Sequence, residues 1–230
     1  IPAGVLIHWS VQSNEWQQSS FLEIAINSLI LAASAALISV SLALMLAYAV
    51  RLQPLKMTRF SVQLTSLGYA LPGTIIAVGV IIAFAWLDHT IVPVFERLLD
   101  VEFGLLFSGT VFALLFAYTI RFLAVSLGSV QSGLGAIKPS LDSSARLLGR
   151  TPIQVLKEIH IPLLSGSVFT AFLIVFVDVL KELPGTLILR PFNFNTLAVR
   201  AYELASDERL MEAAPASLMI VAVGLIPVCL

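Results

Sequence analysis

Charge is scarce in this sequence. Lys, Arg, Asp and Glu together make up 12% of residues against 58% hydrophobic ones, and the mean hydropathy of +0.97 lies far outside soluble usage. Thirteen basic residues face fourteen acidic ones, a net charge of −1. No basic concentration could replace phosphate counterions, which excludes a nucleic-acid partner. Cys229 is the single cysteine, so there is neither a disulfide framework nor a thiolate metal site. His8, His89 and His160 are scattered and read as solvated or capped side chains rather than as metal ligands. The chain has no G-x-x-x-x-G-K-[ST] loop, so any nucleotide chemistry belongs to a partner. It also lacks H-E-x-x-H and a Ser–His or paired-Asp set within an apolar run, so we expect no enzyme active site and no cofactor.

What is present is a series of apolar runs, and the expected fold class is an all-α polytopic membrane protein. Residues 1–9 form an apolar stub too short to span, and 10–20 are polar with Trp16 as an interface anchor. Without a basic leader this start reads as the end of a preceding transmembrane helix and an external linker, hence as a fragment. Spans are expected at about 24–50, 64–86, 103–127, 164–183 and from 213 onward. Ala32, Ala36, Ser39 and Ala43 recur at helical spacing in the first, which suits close helix approach in lipid. Leu71-Pro72-Gly73 kinks or breaks the second. Arg51, Lys56 and Arg59 crowd the loop after the first span without an acid, which places it on the cytoplasmic side. Residues 88–102 carry four acids and one Arg and so lie outside. Arg121 is expected near the inner end of the third span, where it can snorkel.

The most informative stretch is 141–164. Asp142 is positioned to cap a short helix, Gly149 supplies a turn, and Thr151 caps a second helix with Pro152 at its first position. That helix aligns Ile153, Leu156 and His160 on one side. Lys138, Arg146, Arg150 and Lys157 outnumber Asp142 and Glu158, so this elbow is again cytoplasmic. An ordinary amphipathic loop is the alternative. In the fourth span Asp178 lies three residues from Lys181 and four from Glu182, crowding one helical face near its outer end. Two readings stand: a lining of a translocation path, or an ion pair marking the helix end at the headgroups. Pro184-Gly185 then opens an external segment, 184–212. Thr196 begins a short amphipathic helix there, and Ser206-Asp207-Glu208 caps a further one.

Ser143-Ser144-Ala145, three residues, Gly149, nine residues, then Ile159-His160-Ile161-Pro162 resembles the EAA loop of permease subunits of binding-protein-dependent ABC importers. Ser143 stands where that family usually has Glu, Ser144 replaces Ala and Ile161 replaces Leu, with Asp142 one place early as a substitute acid. The runs 176–184, 189–194 and 196–203 further resemble ferric-iron importer permeases, in which two permease halves are often fused. The likeness covers residues from about 27 to the end and implies a C-terminal half. It implies a type I ABC importer permease core, a MetI-like helical bundle, over 21–230, with the coupling loop at 128–163. Asp142, Ser143, Ala145, Arg146, Gly149, Ile159 and Pro162 would then be ATPase-coupling residues. Asp178, Lys181 and Glu182 would be candidate path residues.

The partners implied are a cytoplasmic ABC ATPase dimer, a periplasmic substrate-binding protein docking on the external segment, a second permease half and the lipid bilayer of a bacterial inner membrane. The implied cargo is Fe(III); sulfate, polyamines, thiamine or phosphonates are the alternatives within the family. A secondary transporter would need broken or charged spans in corresponding repeats, and one acidic cluster without a second copy speaks against it.

Overall fold

The structure, a computed structural model, describes residues 2–17, 19–53, 55–100 and 104–229. Among these, all regular structure is helical. Glu102 and Phe103, expected in the external loop and at the head of the third span, lie outside the described residues, as do the side chains of Arg59 and Cys229. Three helices are long and apolar enough to cross a membrane: Ser20–Leu52, Gly73–Arg97 and Val111–Ala136. Pro152–Leu163 and Ser165–Leu180, bent by 73°, make a fourth crossing if taken as one span, and Leu210–Ile226 is a shorter apolar helix.

The chain divides into two compact units. The first comprises Ile1–Ser34, Pro72–Tyr118 and Val177–Leu230. Here α1 (Pro2–Gln12) packs on α13 (Leu210–Cys229), as does α12 (Leu197–Ser206), while α11 (Pro184–Leu189) packs on α4 (Gly73–Thr90). Phe21, Ile24 and Ala25, from the start of α2 (Ser19–Leu52), meet Leu197 and Ala216 in a buried cluster. Part of the segment 184–212 is packed into this unit: Gly185, Thr186, Leu189, Leu197, Val199 and Leu204 are buried, while residues 205–211 are exposed.

Ser28 makes that packing specific, accepting the Leu197 N–H at 2.7 Å while donating to Ile24 O at 2.9 Å. The short helix expected from Thr196 is present as α12, with Thr196 itself the N-cap, accepting from the Val199 N–H. Ser206-Asp207-Glu208 does not cap the helix that follows. Asp207 is the C-cap of α12, Ser206 Oγ donates back to Glu203 O at 2.8 Å, and α13 starts from the Arg209 carbonyl. Trp16 donates through its indole to Ser10. After α5 (Val92–Leu99), the loop before α6 (Val111–Ala136) is gathered by Asp88. Read as one more exterior acid, Asp88 is instead buried. It accepts from the N–H groups of Leu106, Phe107 and Ser108 at 2.8–3.1 Å and from Ser108 Oγ at 2.5 Å.

The second unit comprises Ala35–Leu71 and Thr119–Phe176. Its core joins Val40, Ala43 and Ala47 of α2 to Leu127, Val130 and Leu134 of α6 and to Leu164 and Ala171, the latter on α10 (Ser165–Leu180). The small-residue stripe behaves as expected: Ala32, Ala36, Ser39 and Ala43 are all buried to 0%. With no hydrophobic drive between helices in lipid, such close packing carries the association.

Several span boundaries are corrected. Lys56–Ala70 is a separate helix, α3, and the second span begins only after the break at Leu71-Pro72, because the extended conformation before a proline stops the first helix. The third helix runs Val111–Ala136 rather than 103–127. That shift puts Arg121 mid-helix instead of near an inner end, and it places residues 128–136 of the expected coupling loop inside α6.

Candidate functional site

The elbow is built as two helices around a left-handed glycine. The first, α7 (Pro139–Leu147), is capped at Lys138 with Pro139 at its first position, so Asp142 lies within its first turn and is not the cap. Its C-terminus closes with paired bonds, Arg150 N–H to Ala145 O at 3.0 Å and Gly149 N–H to Arg146 O at 2.9 Å. This is the Schellman geometry, and it requires the positive φ of +79° found at Gly149. The next helix, α8 (Pro152–Val155), begins with a full capping box: Thr151 accepts from the Gln154 N–H while the Gln154 side chain accepts from the Thr151 N–H. A π turn, Leu156–His160, and the short α9 (Ile161–Leu163) carry the chain to the bend before α10.

The face this second helix buries differs from the expected one. Val155 and His160 are buried, whereas Ile153 is 65% exposed. The π turn widens the helix by one residue, so a strict 3.6-residue pattern fails across it. Leu147 (89% exposed) and Leu148 (82%) join Ile153 at the tip. Arg146, Arg150 and Lys157 are exposed too, Arg150 reaching Glu158 at 3.3 Å. Ala145 is buried, Ser143 exposed and Ile159 half-buried, and Pro162 lies in α9. The seven candidate coupling residues are thus brought into one elbow, but they divide into an outward tip and an inward root.

At the root, Asp142 collects partners from distant parts of the sequence. Arg51, in the last turn of α2, donates from Nε to Asp142 Oδ2 at 2.7 Å and caps the end of α6 through Leu134 O at 2.6 Å and Ile137 O at 2.9 Å. His160 Nε2 donates to the other carboxylate oxygen at 2.7 Å. The His160 ring, 0% exposed, lies 5.3 Å from that of Tyr48, whose hydroxyl donates to Pro152 O at 2.7 Å. His160 is therefore not the solvated or capped residue expected from its isolation. Its Nδ1 has no hydrogen-bond partner among the described residues, as the Nε2–H tautomer permits.

Burial alone would raise the Asp142 pKa, but the bond and charge of Arg51, and then the His160 hydrogen bond, hold it below its ordinary 3.8. The stabilisation this gives is complete above that ordinary value and is lost only as pH falls through the lowered one, so the root is intact at neutral pH. Truncating either partner of the Arg51–Asp142 pair strands the other in a mostly buried site, at a cost of about 3 kcal/mol. Arg51 was legible only as a marker of loop charge, because its partners lie 83 to 91 residues away.

The acidic cluster separates on folding. Asp178 and Lys181 pair at 2.8 Å, the lysine 62% exposed. The helix ends at Leu180, so Glu182 leaves the expected common face. It is buried and accepts the Gly185 N–H at 3.2 Å. Its carbonyl accepts from Thr186 Oγ1, which in turn meets the Tyr118 hydroxyl, both at 2.5 Å. Glu182 thus holds the Pro184-Gly185 break, whereas Asp178, 15% exposed, stays on the helix paired with the exposed lysine.

No family profile matches the chain. Among known proteins it is similar along its whole length to the Fe(3+)-transport system permease protein FbpB 2 of Haemophilus influenzae, with 26% identity over 234 residues that make up 43% of that protein, its C-terminal half. Over 68% of its length it is 23% identical to a putative 2-aminoethylphosphonate transport system permease protein, PhnV, of Salmonella typhimurium, covering 53% of that protein. The chain thus spans about half the length of these relatives. A crystal structure of a bacterial alginate ABC transporter in complex with its alginate-bound periplasmic protein shares the fold, at a TM-score of 0.66 and 16% identity over 93% of this chain and 77% of that one. Helical composition, apolar spans, sequence likeness and fold converge: this chain is a multi-pass membrane protein similar to transport-system permease proteins, with the fold of an ABC transporter's membrane subunit.

Proposed function

We propose that the chain is the membrane-spanning core of a permease in an ATP-driven importer of the bacterial inner membrane, carrying ferric iron delivered by a periplasmic binding protein. The observation that carries this reading is the elbow. A rigid Gly149 turn presents Leu147, Leu148 and Ile153 to solvent within a basic rim of Arg146, Arg150 and Lys157. Exposed apolar side chains clustered at a charged tip mark a protein-docking site, and a separate ATPase dimer is the partner that the EAA-like spacing implies. Closure of that dimer on ATP would draw this elbow and that of a second permease half together and turn the cavity outward, and hydrolysis would reset it. The similarity to the iron permease along the whole of this chain favours Fe(III) as cargo. The shorter similarity to the phosphonate permease supports an organophosphonate as the second reading.

The test is uptake by proteoliposomes holding the full-length chain, its ATPase and its binding protein, with radiolabelled Fe(III) and 2-aminoethylphosphonate offered separately. ATP-dependent accumulation of iron supports the first reading, and accumulation of the phosphonate alone replaces it with the second. Uptake of either that ignores ATP sinks both. In the same assay Asp178→Asn should slow uptake more than it lowers membrane abundance, because Asp178, held on the last turns of its helix beside an exposed lysine, would face the cargo path. Equal losses of uptake and abundance would make Asp178 a structural ion-pair partner of Lys181.

A further inference from the structure

We infer that Arg51 is a positioning residue for transport: through Asp142 it ties the elbow to the inner ends of α2 and α6, so that force applied at the elbow tip moves those helices with it. This rests on the importer reading above and adds a residue outside the elbow to its machinery.

The backbone alone holds the elbow loosely. Only Ile137 and Lys138 connect α7 to α6, and a 73° bend separates the far side of the elbow from α10. A push at Leu147 or Leu148 could be absorbed at either joint. The side chains remove that freedom. All three nitrogens of the Arg51 guanidinium are committed, Nε to Asp142 and the two others to Leu134 O and Ile137 O. A planar fork with three fixed acceptors has no freedom to swivel, which an ammonium on a flexible stem would keep. Asp142 spends its second oxygen on His160 in the π turn, so one carboxylate joins α2, α7 and the segment beyond the glycine. Tyr48, one turn before Arg51, adds a second tether from α2 through Pro152 O.

The side chains of Arg51 and Asp142 are 13% and 17% exposed, so water competes little for these bonds. With its root fixed on α2, a helix of 34 residues and so about 50 Å long, the elbow acts as the short arm of a lever. The acid displaced by one position from the EAA pattern therefore faces inward as a strut, while exposed Ser143 occupies the motif position itself.

The experiment measures cargo taken up per ATP hydrolysed, at matched amounts of intact complex, in proteoliposomes of the full-length chain with its ATPase and binding protein. Arg51→Ala and Asp142→Ala should each lower that ratio about tenfold, in the range of ordinary coupling energies, while the ATPase still co-purifies. Arg51→Lys should fall between Arg51→Ala and the native chain. Tyr48→Phe, which loses only the bond to Pro152 O, should lower the ratio about twofold. If Arg51→Ala fails to assemble, Arg51→Lys and Tyr48→Phe decide the matter. Assembled variants that keep the native ratio overturn the inference alone and leave Arg51 a stabilising residue. A native complex without ATP-dependent uptake overturns the importer reading and the inference together.

Discussion

Gly149→Pro should abolish ATP-dependent uptake while leaving the protein at normal abundance in the membrane. Gly149 sits at φ +79°, and its N–H closes the end of α7 on Arg146 O. Proline fixes φ near about −65° and removes that N–H, so the turn cannot form and the two halves of the elbow must take another angle. The apolar spans do not depend on this turn, which is why insertion should persist. Gly149→Ala is the graded control. Among the described residues no atom beyond its chain neighbours lies within 4 Å of an added Cβ there, so its cost is limited to the left-handed backbone, about 1 kcal/mol, and most uptake should remain. Uptake and membrane abundance of both variants, measured side by side, check the expectation. Normal uptake and ATPase coupling in Gly149→Pro would show that the elbow is not the coupling element.

Gly68→Ala should be the most damaging methyl-sized change in the second unit. A Cβ at Gly68 of α3 would fall well inside contact distance of the Ile120 carbonyl oxygen and 3.1 Å from its carbon, both backbone atoms of α6. A backbone neighbour cannot turn aside as a flexible side chain does, so the helices must separate, at a cost of about 3 kcal/mol. That outweighs the gain of about 1 kcal/mol that Gly→Ala brings within a helix. Gly79→Ala, where nothing lies within 4 Å, carries the propensity gain without the clash. Thermal unfolding followed by fluorescence-detected size exclusion should therefore show a clear drop in Tm for Gly68→Ala and none for Gly79→Ala. Equal melting temperatures would mean that α3 and α6 do not approach so closely.

Much of the elbow was legible residue by residue because its determinants are local. Thr151 and Pro152 together favour a helix start before apolar residues, and Gly149 ends one for reasons of its own backbone. The stripe of Ala32, Ala36, Ser39 and Ala43 likewise announced its buried face by spacing alone. Asp142 shows where this fails. A Ser or Asp near a helix start reads as a cap, but Pro139 had already fixed the first turn, and the carboxylate turned to Arg51 instead. The π turn at 156–160 breaks the 3.6-residue register across it, so the buried His160 does not share a face with the exposed Ile153. No periodicity argument anticipates an inserted residue.

Fold class, the presence of several apolar spans, the basic character of the elbow and its hinge follow from composition and short-range spacing, since each depends on residues within a few positions of one another. The roles of Arg51, His160, Tyr48 and Asp88 were decided only by tertiary structure. Each is a polar side chain in an apolar protein that must find partners away from water. Which partners it finds depends on how helices remote in sequence are brought together, and for Arg51 and Asp142 that meant 91 residues.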